Sequence, residues 1–162
     1  MQIDRDGWLG TQVQRMATSS WFRKVGPRVV PQMDRIVHRV TKGRFTTSAL
    51  LVPSLVLTVI GAKSGQPRVI PLACLPDDGS FYVVGSNFGQ VAHPAWTTNL
   101  DANPDATVSY RGADHAVRAH RLDDDEKAEV WPKLLHIWPS YATYAEVSGR
   151  SLRVYRLDPA PA

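Results

Sequence analysis

The segment Gly61-Ala-Lys-Ser-Gly-Gln-Pro-Arg68 gathers the densest set of groups suited to holding an anion. Its two glycines let backbone amides approach a ligand closely, Ser64 and Gln66 add donors, and Lys63 and Arg68 bring two positive charges into one turn. Such a turn suits a phosphate or a carboxylate. The same residues also make an ordinary basic hairpin turn, and their types alone leave both readings open. A second set is Trp138-Pro-Ser-Tyr141-Ala-Thr-Tyr144, in which a spacing of three puts the aromatics along one helix face. A stripe of this kind is commonly core. With two phenolic hydroxyls and Ser140 between them, it would also serve as a half-wet wall over a flat ligand. In Gly85-Ser86-Asn87-Phe88-Gly89 a strand ends in small polar residues, either as a turn or as a place where a ring lies against the backbone.

Self-sufficient catalytic sets do not emerge. His38, His93, His115, His120 and His136 fall into neither an HExxH pattern nor paired Cys/His spacing, so no metal site is expected. Cys74 sits in an apolar strand pattern and reads as a core residue. There is no GxSxG elbow, P-loop or GxGxxG. An enzyme built from these residues draws its reactivity from a bound cofactor.

A chain of 162 residues, 43% hydrophobic and 21% charged, predicts one domain with a sizeable core. It excludes a disordered chain, a collagenous repeat and, with a single cysteine, a disulfide scaffold. That cysteine count points to a reducing compartment, hence a cytoplasmic location. No apolar run reaches the roughly 18 residues of a membrane span; the best, residues 49–60, is cut by Pro53 and Ser54. The opening MQIDRDGWLG does not read as a secretory signal. The net charge of +4 is uneven: residues 1–68 hold 11 Lys+Arg and 3 Asp, the remainder 8 Lys+Arg and 12 Asp+Glu. The basic part is either a solvated face or the approach to an anionic partner. Nucleic acid is not the expected partner, because aromatics and basic residues do not interleave.

These groups need elements to position them. Residues 1–45 read as an amphipathic helical segment in two basic pieces, with Trp8, Leu9, Val13 and Met16 in one and Met33, Ile36, Val37 and Val40 in the other. It either packs on the domain or rests as a peripheral contact on the inner face of the cell membrane. Residues 46–162 form the second unit of the same single domain. Strands are predicted at 55–60, 68–75, 81–86, 106–111, 116–122 and 152–157, with turns at 61–65, 76–79 and 112–114. Helices are predicted at 94–100, from Asp123-Asp-Asp-Glu126 to residue 137 with a disturbance at Pro132, and again from Pro139. The fold class is mainly β with inserted helices, and closing six antiparallel strands into a small barrel would remove their edges.

These segments, in this order, resemble the deazaflavin-dependent nitroreductase family of actinobacteria, whose members use the reduced deazaflavin coenzyme F420. The resemblance covers residues 33–158. It is carried by Gly61-Ala-Lys-Ser-Gly-Gln-Pro-Arg-Val-Ile-Pro-Leu72, Gly85-Ser-Asn87, Pro94-Ala-Trp-Thr-Thr-Asn-Leu100 with Ala102-Asn-Pro104, and Trp131-Pro132 followed by Trp138-Pro-Ser-Tyr141. It implies a six-stranded antiparallel split β-barrel of the FMN-binding kind, working as an F420H2-dependent oxidoreductase on a small lipophilic acceptor: a quinone, an enone or a nitro compound. By the same resemblance, Ala62, Lys63, Ser64, Arg68, Val69, Ile70, Pro71, Leu72 and Ala73 hold the coenzyme's phosphate and glutamate tail. Val84, Gly85, Ser86 and Asn87 lie near the deazaflavin ring, and Ala95, Trp96, Thr97, Thr98 and Asn99 form the helix beneath it. Tyr141 contacts the coenzyme, Ser86, Trp138, Tyr141 and Tyr144 surround the acceptor, and Ser86 and Tyr141 are the catalytic pair.

The chain departs from the family where Ala62 replaces a common Arg, and where Trp138 replaces a Tyr of the best-known nitroreductases and so reshapes the acceptor pocket. Two alternatives stand beside the main reading. One is an FMN- or haem-binding protein of the same barrel, with Lys63 and Arg68 on a single phosphate. The other is a non-catalytic carrier of F420 or lipid.

Overall fold

The computed structural model describes residues 52–161, so the expected helical segment 1–45 lies outside the described residues. Strand formation follows from the period-two placement of apolar residues. In β1 (Ser54–Ile60), Leu55, Leu57 and Val59 are all buried together in the barrel core. The other strands are β2 (Pro67–Asp77), β3 (Ser80–Gly85), β4 (Asp105–Tyr110), β5 (Ala113–Arg121) and β6 (Arg153–Pro159). Every expected strand is present, with ends shifted by three residues or fewer.

The strands close into a barrel in the order β1-β2-β3-β6-β5-β4, and all neighbours run antiparallel. Closure comes from β1 against β4, where Leu57 faces Val108; neither has any exposed surface. Two left-handed pairs, Asp78-Gly79 (φ 46° and 82°) and Arg111-Gly112 (φ 51° and 83°), turn the β2–β3 and β4–β5 hairpins. Such pairs match the twist of the strands they join.

Two cores share the barrel wall. The interior holds Leu55, Leu57, Val59, Cys74, Phe81, Val83, Val108, Val117, Tyr155 and Leu157, and is plugged by Trp96 and Leu100 from α1 (Ala95–Ala102). One residue further along β3 and β6, the paired Val84 and Val154 belong to the opposite face. There they meet Val130 and Leu134 of α2 (Asp124–Ile137) and Tyr141 and Tyr144 of α3 (Ser140–Ser148).

Helix α2 starts on a capping box: Glu126 N donates to Asp123 Oδ1 at 2.9 Å, and Asp123 N donates to Glu126 Oε2 at 3.0 Å. Contrary to the expected disturbance, α2 runs unbroken through Pro132. Pro132 and Ala128, whose carbonyl loses the proline's missing amide, are both exposed, so solvent can take that carbonyl. Among the described residues no helix is long and apolar enough to cross a membrane.

Candidate functional site

The connection between β1 and β2, residues 61–66, is locked by its own backbone. Gly61 N donates to the Gln66 carbonyl at 2.9 Å, and Gly65 N, in a residue with φ 65°, donates to the Gly61 carbonyl at 2.8 Å. Ser64 Oγ accepts from Gln66 N at 3.2 Å and from Arg68 Nη2 at 3.4 Å, which ties the guanidinium to the turn. A Cβ on Gly61 would lie 2.6 Å from Ser64 Oγ, so glycine permits this fold-back. Lys63, Ser64 and Arg68 are exposed, and among the described residues no carboxylate pairs with either cation. Two uncompensated cations and a hydroxyl on a rigid turn form a donor set for a polyanion. Along β2, Val69 is exposed, while Ile70 and Leu72 pack against the barrel core and Pro71 and Ala73 are half-buried.

Helix α1 joins this turn to the end of β3. Ala62 N donates to Asn99 Oδ1 at 2.9 Å, so that side-chain carbonyl is engaged in fixing the turn. Thr97, with no exposed surface, donates through Oγ1 to the Pro94 carbonyl at 2.8 Å and accepts from Arg153 Nη1 at 3.1 Å. Tyr155 donates to Asp101 Oδ1 at 2.7 Å, and Arg121 reaches Asp101 Oδ2 at 3.3 Å. Trp96 packs on Tyr155 with ring centroids 5.6 Å apart. Of the five α1 residues expected at the coenzyme, Trp96 and Thr97 are therefore enclosed by the fold, and Ala95 and Thr98 are exposed.

The close neighbour at Gly85 is protein: a Cβ there would meet Thr97 Cγ2 at 2.8 Å. Beyond it the backbone stays left-handed through Asn87 (φ 46°), Phe88 (φ 53°) and Gly89 (φ 77°). Asn87 Nδ2 donates to the Ala92 carbonyl at 2.9 Å. Ser86 starts this turn without using its hydroxyl as a cap.

The aromatic wall gathers against the same strand. Phe88 meets Tyr144 edge-on at 6.3 Å, Trp131 lies 6.4 Å from Tyr141, and Trp138 packs half-buried on the same cluster as Val84. Tyr141 is buried, and burial first, then the nearby Cys74 and Tyr144, holds its phenol well above the ordinary range. It is protonated at any physiological pH. Cys74 is pushed up to about 12 by burial, which keeps it an uncharged core thiol.

The structure thus brings residues 61–68, α1, the end of β3 and the α3 aromatics into one continuous framework. Sequence reasoning missed Arg150, which follows α3 and donates to carbonyls at the end of β3. It also missed the Arg153–Asp101–Tyr155 set that anchors α1. The left-handed Gly149 helix end was the one local signal for Arg150.

Comparison with known proteins gives a consistent picture. A family model described as F420H(2)-dependent quinone reductase matches residues 32–159. An F420H(2)-dependent quinone reductase of Mycobacterium tuberculosis is 33% identical over 120 residues, covering 72% of this chain and 80% of that protein. A solved structure of an F420-H2 dependent reductase (FDR-A) superposes with a TM-score of 0.61 at 30% identity, over 65% of this chain and 94% of that one. A solved domain-swapped dimer superposes with a TM-score of 0.64 at 28% identity, over 85% of this chain and 97% of that one.

Proposed function

The chain belongs to the F420H(2)-dependent quinone reductase family, and we propose that its acceptor is a small, flat, lipophilic molecule, a quinone, an enone or a nitro compound, reduced beneath the Trp138, Tyr141 and Tyr144 wall. When bound, coenzyme F420 supplies the hydride, and the protein supplies binding, orientation and electrostatics. The residues present fit that coenzyme. Lys63, Arg68 and Ser64 offer an exposed donor set, unpaired with any carboxylate among the described residues, to its polyanionic tail, with Ala62 giving up the further charge that an Arg would add.

Val84, Gly85, Ser86 and Asn87 end β3 on the side where the aromatic wall stands, which supports their assignment to the ring. In this reading Ala95 and Thr98 are the α1 positions open to contact, while Trp96, Thr97 and Asn99 hold the framework around them. The Tyr141 hydroxyl, buried and protonated, donates a hydrogen bond to the acceptor oxygen where negative charge develops, and the Ser86 hydroxyl supplies a second donor. Trp138 and Tyr144 hold the acceptor flat and exclude water.

The observation that carries this reading is Tyr141 itself, a buried phenol kept protonated by its surroundings and packed in the aromatic cluster that meets the end of β3. The basic amphipathic pattern of residues 1–45 also supports peripheral contact with an anionic membrane surface, where lipophilic acceptors concentrate. A fluorescence titration with F420 and, separately, with FMN tests the donor set. Preferential binding of F420 is expected; preference for FMN would assign Lys63 and Arg68 to a single phosphate and overturn the reading.

A further inference from the structure

Arg150 stands directly after Gly149, the left-handed residue (φ 64°) that ends α3. Its guanidinium is committed to one stretch of backbone. Nη1 donates to the Gly85 carbonyl at 3.1 Å, Nη2 to the Ser86 carbonyl at 2.9 Å and the Ala92 carbonyl at 3.4 Å, and Nε to the Gln90 carbonyl at 3.1 Å. Nη1 also meets His93 Nδ1 at 2.9 Å. A guanidinium has no lone pair, so Nδ1 must be the acceptor and His93 is neutral with its proton on Nε2. The stretch held in this way contains Asn87 and Phe88, two non-glycine residues with φ of 46° and 53°. Such backbone persists only where its surroundings over-determine it.

We propose that Arg150 is a positioning residue for the coenzyme and acceptor site, and that His93 is its proton-sensitive latch: Arg150 holds residues 85–93 in the form that presents Ser86, and a proton on His93 breaks that hold. What the stretch presents rests on the function proposed above; the latch itself does not.

The groups facing His93 give the sign. Among the described residues Arg150, Arg153 and Arg121 oppose a proton there, and Asp101 favours one. Burial first, then these arginines, keeps the imidazole below its ordinary pKa. A released His93 takes up a proton more readily than a latched one. The latch is therefore intact above the ordinary histidine pKa of about 6.5 and weakens as pH falls below it, with no further loss below the lowered pKa.

Hydrogen exchange of residues 85–93 in the coenzyme-free protein, corrected for intrinsic rates and followed from neutral to mildly acid pH, reads the latch without any turnover. The wild type is expected to lose protection in acid. His93→Asn, whose side-chain oxygen sits where Nδ1 was and cannot titrate, is expected to keep it. Arg150→Lys, which cannot serve the same carbonyls from one planar fork, should lose about tenfold in protection at all pH values, and about tenfold in F420 affinity by fluorescence titration. Coincident pH profiles for wild type and His93→Asn would overturn the proposal, as would wild-type protection in Arg150→Lys. Should Arg150→Lys fail to fold, the His93→Asn comparison decides. Failure to bind F420 with the latch signature intact would count against the proposed function and not against the latch.

Discussion

Tyr141 and Cys74 show how one physical effect gives opposite roles to two buried titratable groups. Burial raises both pKa values. For the thiol this removes nucleophilicity, because only a thiolate attacks. For the phenol it keeps the proton in place, which suits the hydrogen-bond donor role proposed for it. Tyr141→Phe keeps the ring that packs on Trp131 and deletes only the hydroxyl. The variant should fold with unchanged midpoint and lose less F420 affinity than turnover, while kcat falls by about ten- to a hundredfold. Steady-state kinetics beside a coenzyme titration checks this; unchanged turnover would remove Tyr141 from the catalytic pair.

At the scale of elements, α1 is the joint of the site. One end touches the anion turn through Asn99 and Ala62, and its buried face meets the β3 end through Thr97 and Gly85. Asp101 and Tyr155 fasten it to β6. Gly85→Ala would drive a methyl group to 2.8 Å from Thr97 Cγ2. A loss of about 1–3 kcal/mol is expected from such overpacking. Thr97→Ser in the same background removes that methyl, keeps the hydroxyl and should restore much of the stability. Denaturant unfolding of the two variants decides; a Gly85→Ala protein as stable as wild type would show that the contact does not limit the docking of α1.

The elements were readable from sequence where the cause is local. Short runs bounded by turn residues mark the six strands, Asp78-Gly79 marks its hairpin, and the Asp123 to Glu126 carboxylates mark the start of α2. The basic turn at residues 61–68 was readable for the same reason. What the sequence could not show is long-range. Arg150 serves carbonyls 58 to 65 residues away, and no periodicity links such positions. Likewise the packing of Trp96 on Tyr155 in the barrel core joins residues 59 positions apart, which no spacing in the sequence shows.

For the whole molecule, the proposed site and the barrel core fall on separate surfaces. Its interior is a filled apolar core, with Leu57 and Val108 sealing the β1–β4 seam, and no ligand site is needed inside. The outer face of β3 and β6 carries the aromatic wall, and the basic turn stands at the end of β1. In the proposed function Lys63 and Arg68 make a localised field for an acidic tail within a chain whose overall charge is only +4. Replacing both with Ala should weaken F420 binding by about a hundredfold at low salt and flatten its salt dependence. A deazaflavin without phosphate or glutamates should bind both proteins alike, and fluorescence titrations across ionic strength compare them. Equal losses for the tailed and tail-less ligands would show that the two cations act on the fold or the ring instead.

The central claim is that this framework delivers a hydride from reduced F420 to a flat acceptor. Mixing the protein and reduced F420 with menadione in a stopped-flow instrument, and following the return of oxidised coenzyme absorbance, tests it most directly. Reoxidation well above the protein-free rate, and slowed in Tyr141→Phe, is the predicted result. Reoxidation no faster than the protein-free control, under conditions where titration shows the coenzyme bound, would contradict it.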